Sequence, residues 1–195
     1  MNDDPDSSQS RSRLPSIAVA ITVEAPGWRA RVPDVEALVR RAVRAAVLAA
    51  VAAQHEPAAR WGAGVEISVL LSDDARVRDL NRRYRGRDAP TNVLSFPAGD
   101  EGTDEAPVLL GDVVLALETV AREAAGQAKP LGDHVAHLIV HGVLHLLGYD
   151  HESDAAAALM EALEVRILSA LEVPDPYAPA AATPGGEDET TGALS

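Results

Sequence analysis

From Ser16 to Glu24 the apolar residues Ile17, Val19, Ile21 and Val23 fall at every second position, and a period of two predicts a strand. After Pro33 the period changes. Val35, Val39, Val43, Val47 and Val51 recur at steps of four, flanked by Leu38, Ala42 and Ala46, which predicts a helix with a broad apolar stripe turned to a core. Val65–Leu71 reads as a second strand, and Asp73 or Ser72 can cap a helix running to about Tyr84. Asn92–Phe96, bounded by Pro90 and Pro97, reads as a short strand suited to a sheet edge. An acidic loop covers residues 98–107, and Val108–Leu115 is a further strand. Helices are predicted at about Glu118–Gln127, Pro130–Leu147 and Ser153–Leu171. Strands and helices in this mixed order imply an α/β or α+β domain, a small sheet with helices packed on it.

The two ends break the pattern. Residues 1–15 are polar and acidic, and residues 178–195 are rich in Pro, Ala, Gly, Thr and acid. Neither can bury enough apolar surface to offset the entropy of ordering. They are expected to be a disordered leader and a disordered tail around a single domain at residues 16–177. The N-terminus lacks the basic start and apolar run of a secretory signal. The most apolar stretches, SIAVAITV and VLAAVAAQ, fall short of the roughly 20 residues a membrane span needs. The chain therefore reads as soluble and cytoplasmic. It contains no cysteine, which excludes a disulfide framework, a thiolate zinc site and a redox thiol. Any metal site must use histidine and oxygen ligands.

A net charge of −13 argues against a polyanionic ligand, because phosphate binding runs on lysine and arginine. The charge is uneven, however. Residues 172–195 carry five acids and no base, whereas Arg76 to Arg87 holds six arginines against one acid, Asp79. Such a segment is either a solvated helix face or a local patch for a polyanion.

Chemistry is concentrated in HGVLHLLGYDH, His141 to His151. His141 and His145 are four residues apart on a predicted helix, which turns once per about 3.6 residues, so their imidazoles share a face and can converge on one ion. His137, eight residues before His145, is about 12 Å away along the axis and cannot join both. It and His134 are expected to pack or hydrogen-bond near the site, and His55 to lie on the surface. Gly148 is placed to end the helix in the left-handed conformation, after which His151 can meet the other two from the side. Three neutral histidines leave a divalent ion one open position, the arrangement of a catalytic site, and acidify a bound water. Nitrogen ligands favour zinc, with nickel, copper or iron as substitutes. Asp150 and Glu152, beside the third ligand, can orient a histidine, act on a bound water, or simply cap a turn. The spacing is that of the metzincin zinc peptidases, with Gly142 where those enzymes carry their glutamate base.

HGVLHLLGYDH, LNRRYRGRDAPTNVLSFP from Leu80 to Pro97, and LLGDVVLA from Leu109 to Ala116 together resemble the signatures of the YbeY family of bacterial rRNA-maturation endoribonucleases. The resemblance covers about Val65 to Tyr177. It implies an α+β fold, a small mixed sheet of about four strands covered by helices. It implies one zinc ion per chain on His141, His145 and His151, and a catalytic arginine at Arg85. It also implies cleavage of single-stranded ribosomal RNA, 3′-end maturation of 16S rRNA and ribosome quality control. The expected partners are the small ribosomal subunit and a ribosome-assembly GTPase, with no membrane or DNA.

The residues agree on their own terms. Arg85 could present a planar fork to a phosphate and stabilise charge growing on phosphoryl oxygens; the bland alternative is a salt bridge with Asp88. Arg82, Arg83 and Arg87 would serve as further phosphate anchors. Asn92 and Ser95 are candidates for substrate contact. His141 combines a metal-ligand role with a catalytic one. Without a glutamate at position 142 peptide hydrolysis is disfavoured, whereas a metal-polarised phosphodiester can be attacked by water or by the RNA's own 2′-hydroxyl. Two other readings stand beside this one: a peptidase or amidase using the same zinc, and a non-catalytic ribosome assembly factor.

Overall fold

The computed structural model describes residues 16–53, 61, 63–99 and 106–178. The proposed leader, the tail from residue 179, most of the acidic loop and His55 lie outside the described residues. In chain order the elements are β1 (Ile17–Val23), α1 (Gly27–Arg31), α2 (Val35–Ala52), β2 (Val65–Ser72), α3 (Asp74–Arg85), β3 (Val93–Pro97), β4 (Val108–Ala116), α4 (Leu117–Gly126), α5 (Leu131–Leu146) and α6 (Asp154–Ala170).

The four strands form one sheet in the order β1-β2-β4-β3. β1 runs parallel to β2 and β2 parallel to β4, while β3 pairs antiparallel with β4 and forms an edge. The sheet is mixed and the fold is α+β, as the resemblance implied. Both proline-bounded ends of β3 suit that edge position, where a missing N–H breaks no ladder.

Alternation along the strands sorts their side chains between two clusters. Val65, Ile67, Val69 and Leu71 of β2, with Val113 and Leu115 of β4, enter the main core beneath α2, α5 and α6. Leu70, Val114, Ala116, Leu94 and Phe96 point to the other face and meet Val77 and Leu80 of α3. The valine stripe of α2 behaves as its spacing predicts: Val35, Val39, Val43 and Val47 are fully buried. Asp73 caps α3 by accepting the Arg76 N–H at 2.8 Å, and Ser153 caps α6 by accepting that of Ala156 at 3.2 Å.

The short helix α1 was not expected. Its five residues are too few to show a period. Trp28 anchors it, fully buried, with its indole N–H donating to the Ser72 carbonyl at 2.9 Å, so a tertiary contact holds a turn that has little helical preference of its own. Among the described residues no helix is long and apolar enough to cross a membrane.

Candidate metal centre

The last two turns of α5 present His141 and His145 side by side, their Nε2 atoms 3.2 Å apart. Gly148 follows with φ 86°, the left-handed region that costs glycine nothing. The chain turns there and brings His151 across the helix end. Ring centroids are 4.6 Å apart for His145–His151 and 5.2 Å for His141–His151. One ligand nitrogen from each of the three lies within 4.8 Å of the others.

The hydrogen bonds behind these rings decide their tautomers. His145 Nδ1 lies 2.9 Å from the Tyr149 carbonyl oxygen, which can only accept, so Nδ1 donates. His141 Nδ1 donates to the Glu164 carboxylate at 2.8 Å. Both Nε2 atoms therefore present lone pairs to each other, an arrangement that repels unless a cation lies between them. Two nitrogens bound at about 2.0–2.1 Å to a tetrahedral zinc stand roughly 3.3 Å apart, so the spacing fits such an ion. Burial first, and then the neighbouring His141 and His151, lower the His145 pKa to about 4, which keeps its ligand nitrogen free of a proton at neutral pH.

Glu164 is the functional side chain that the sequence reading passed over. It is fully buried on α6. Burial alone would raise its carboxyl, but donors from His141 and Tyr177, with His137 facing it, outweigh that and hold it down at about 2. The Tyr177 hydroxyl hydrogen-bonds to Oε2, while His137 Nε2 stands 3.6 Å off, beyond hydrogen-bond range. His137 thus flanks His141 without joining the group that His141, His145 and His151 form, as its helical distance predicted. The sequence did carry a signal for Glu164. It lies on the same face of α6 as the buried Met160, Leu163, Ile167 and Leu168, where a carboxylate needs a reason.

Two features account for Gly142. Its carbonyl accepts the Ser95 hydroxyl at 3.2 Å, joining α5 to β3. A Cβ at this position would come within 2.8 Å of Val113 Cγ1 and 3.1 Å of Ser95 Oγ. The helix is packed too closely on the sheet for the peptidase glutamate.

The cleft beside the three histidines, about 500 Å³, is lined by Arg85, Asn92, Val93, Ser95, Pro97, His141, His145, Asp150, His151 and Glu152. Gly86, with φ 68°, ends α3 in the left-handed conformation, and this leaves Arg85 at the helix end where one guanidinium nitrogen donates to the Ser95 carbonyl at 3.2 Å.

The family model described as Endoribonuclease YbeY matches residues 32–172. The chain belongs to this family. The YbeY match takes in α2, which carries no motif legible by eye, as well as every residue of the cleft. A relative named Endoribonuclease YbeY from Rhodospirillum rubrum is 56% identical over 160 residues, covering 78% of each chain. One of that name from a Bradyrhizobium species is 49% identical over 172 residues, 86% of this chain and 95% of its own. Another from Paramagnetospirillum magneticum is 49% identical over 166 residues, 83% and 96% respectively.

In this member of the YbeY family the predicted site residues Arg85, Asn92, His141, His145 and His151 all line one cleft. Asp88 pairs with Arg78 at 2.8 Å, so the salt bridge considered for Arg85 is not the one formed. Arg82 and Arg83 both pair with Asp79. Asn92 accepts the Val93 N–H at 2.7 Å and donates to Glu123 at 3.0 Å, so much of its hydrogen-bonding capacity is structural. Asp150 accepts the Glu152 N–H at 3.0 Å. That is a turn-capping contact, and the carboxylate that hydrogen-bonds a histidine of the cluster is Glu164.

Proposed function

We propose that the chain is a zinc-dependent, single-strand-specific endoribonuclease of the cytoplasm. On this reading it acts in rRNA processing, matures the 3′ end of 16S rRNA and takes part in ribosome quality control. Single-stranded ribosomal RNA on the small subunit is its substrate, and a ribosome-assembly GTPase its partner. The observation that carries the reading is the convergence of three imidazoles and a guanidinium on one cleft, in a chain of the YbeY family.

His141, His145 and His151 would hold the ion. Zinc bound there supplies a Lewis acid for a phosphodiester. Glu164 and the Tyr149 carbonyl fix the tautomers of two ligands and so direct their Nε2 atoms into the cleft. Of the five N–H donors of Arg85, one goes to Ser95; the others remain to grip phosphoryl oxygens and stabilise charge that grows as a P–O bond breaks. Asn92 keeps a second amide N–H for a substrate oxygen. A peptidase would need a base where Gly142 has no room for a side chain.

The deciding experiment quantifies bound zinc by elemental analysis and incubates wild type, His145→Ala and Arg85→Glu with single-stranded ribosomal RNA. The expected result is one zinc per wild-type chain, cleavage lost in both variants, and zinc lost only in His145→Ala. Undiminished cleavage by either variant would remove that residue from the mechanism.

A further inference from the structure

The chain holds few aromatic residues: three tyrosines, two tryptophans and one phenylalanine. Trp28, Trp61 and Tyr149 are buried, Phe96 is half-buried, and the Tyr177 hydroxyl is committed to Glu164. Tyr84 differs from all of these. It is 69% exposed, and among the described residues its hydroxyl has no hydrogen-bond partner. A single exposed aromatic is ordinary on a protein surface, so its surroundings must decide what it does.

Three of them bear on the question. The ring is held, because it meets Phe96 edge-on with centroids 5.2 Å apart at 64°; that contact fixes one edge and leaves a face to solvent. The ring is also set among cations. The acids nearest the ring along the chain are already taken, Asp79 by Arg82 and Arg83 and Asp88 by Arg78. Arg76, Arg85 and Arg87 have no acidic partner among the described residues. Lastly, the ring is next to the cleft along the chain, across the edge strand β3 from it: Phe96 faces α3, on the other side of the strand from the cleft. Arg85, the residue after Tyr84, reaches round that edge to the Ser95 carbonyl and lines the cleft, so a strand leaving the cleft past Arg85 would meet the ring.

An open aromatic face among unpaired arginines is the combination by which proteins hold single-stranded nucleic acid, bases stacking on the ring and phosphates meeting the cations. We propose that Tyr84 is a stacking platform for one unpaired base of an RNA strand entering the cleft, with Arg85 and Arg87 on the flanking phosphates. The proposal rests on the ribonuclease reading and adds to it a physical origin for strand selection. A base inside a duplex has both faces covered by its neighbours and cannot lie on the ring; an unpaired base can.

The test is equilibrium binding of the full chain to a nuclease-resistant single strand, to the same strand in a duplex, and to a single strand carrying abasic positions. Wild type, Tyr84→Ala, Tyr84→Phe and Tyr84→Trp are compared by fluorescence anisotropy, with a thermal melt of each. Tyr84→Ala should weaken binding of the single strand about ten-fold. Tyr84→Phe and Tyr84→Trp should stay near wild type. The abasic strand should bind wild type and Tyr84→Ala alike, and the melting temperatures should agree. Unchanged binding of the single strand by Tyr84→Ala would overturn the platform and leave the ring to a protein partner, with the ribonuclease reading intact. Equal losses on single strand and duplex, together with a lower melting temperature, would overturn it in favour of a packing role against Phe96. Failure of the wild type to bind either form of RNA would overturn both readings together.

Discussion

Glu164 has no solvent around it, yet it is ionised, because its neighbours present N–H and O–H groups that only an anion can fully use. Its contact with His141 Nδ1 does two things. It fixes the proton on the far side of the ring, and it raises the electron density at Nε2, where an ion would bind. Replacing the carboxylate by an amide keeps the shape and removes the charge. We expect Glu164→Gln to weaken zinc binding about 10- to 100-fold, read by competition with a chromophoric chelator. An unchanged affinity would reduce Glu164 to a space-filling polar residue. The residue was readable in part. The histidine spacing reveals the cluster because its members are neighbours on one helix and its turn. Glu164 lies 23 residues from His141, and local periodicity says nothing about which helix will pack behind which ring. The Arg85 contact with Ser95 and the Asp88 contact with Arg78 were hidden for the same reason: charge pairing on a surface depends on where the chain goes next.

At the level of elements, the strands and long helices were legible almost to their ends, because each carries enough residues to display a period. The exception, α1, is fixed by one tryptophan. The α5–sheet contact shows what composition cannot reveal. Gly142 is inside a helix, where alanine would ordinarily be preferred by about 1 kcal/mol. Here the added methyl must displace Val113, and overpacking a close contact costs about 1–3 kcal/mol, so the steric term wins. Gly142→Ala should lower unfolding stability in denaturant titrations, and pairing it with Val113→Ala should restore part of the loss. Gly142→Glu, which copies the metzincin sequence, should be worse still, since the carboxylate would enter a buried interface. It should not produce a peptidase. A stable Gly142→Glu protein that cleaves casein in a zinc-dependent way would overturn this account.

For the whole molecule, the histidine cluster ties together α5, the turn after it and, through Glu164 and Tyr177, α6 and the segment that follows. An ion that binds only the folded form adds stability according to its free concentration, about 2.7 kcal/mol at 100 times its Kd. For a domain of this size each kcal/mol moves the melting temperature by about 2–4 °C. Chelation should therefore lower the wild-type melting temperature by several degrees, zinc should restore it, and His145→Ala should be indifferent to both. A wild-type melting curve that ignores chelator and zinc would argue that the three histidines hold no ion. The net charge was the least informative feature of the sequence, because the average over the chain conceals the arginine-rich α3, whose last residue lines the cleft.

The order of parts along the chain has a consequence for synthesis. Every strand of the sheet precedes Leu117, whereas His141, His145, His151, Glu164 and Tyr177 all follow it. Proteins emerge and begin to fold from the N-terminal side. A nascent chain can thus have its full sheet outside the ribosome and still lack the three clustered histidines, with Glu164 and Tyr177 behind them. The sheet and Arg85 are made first and the clustered histidines last, so an unfinished copy can carry one half of the cleft without the other.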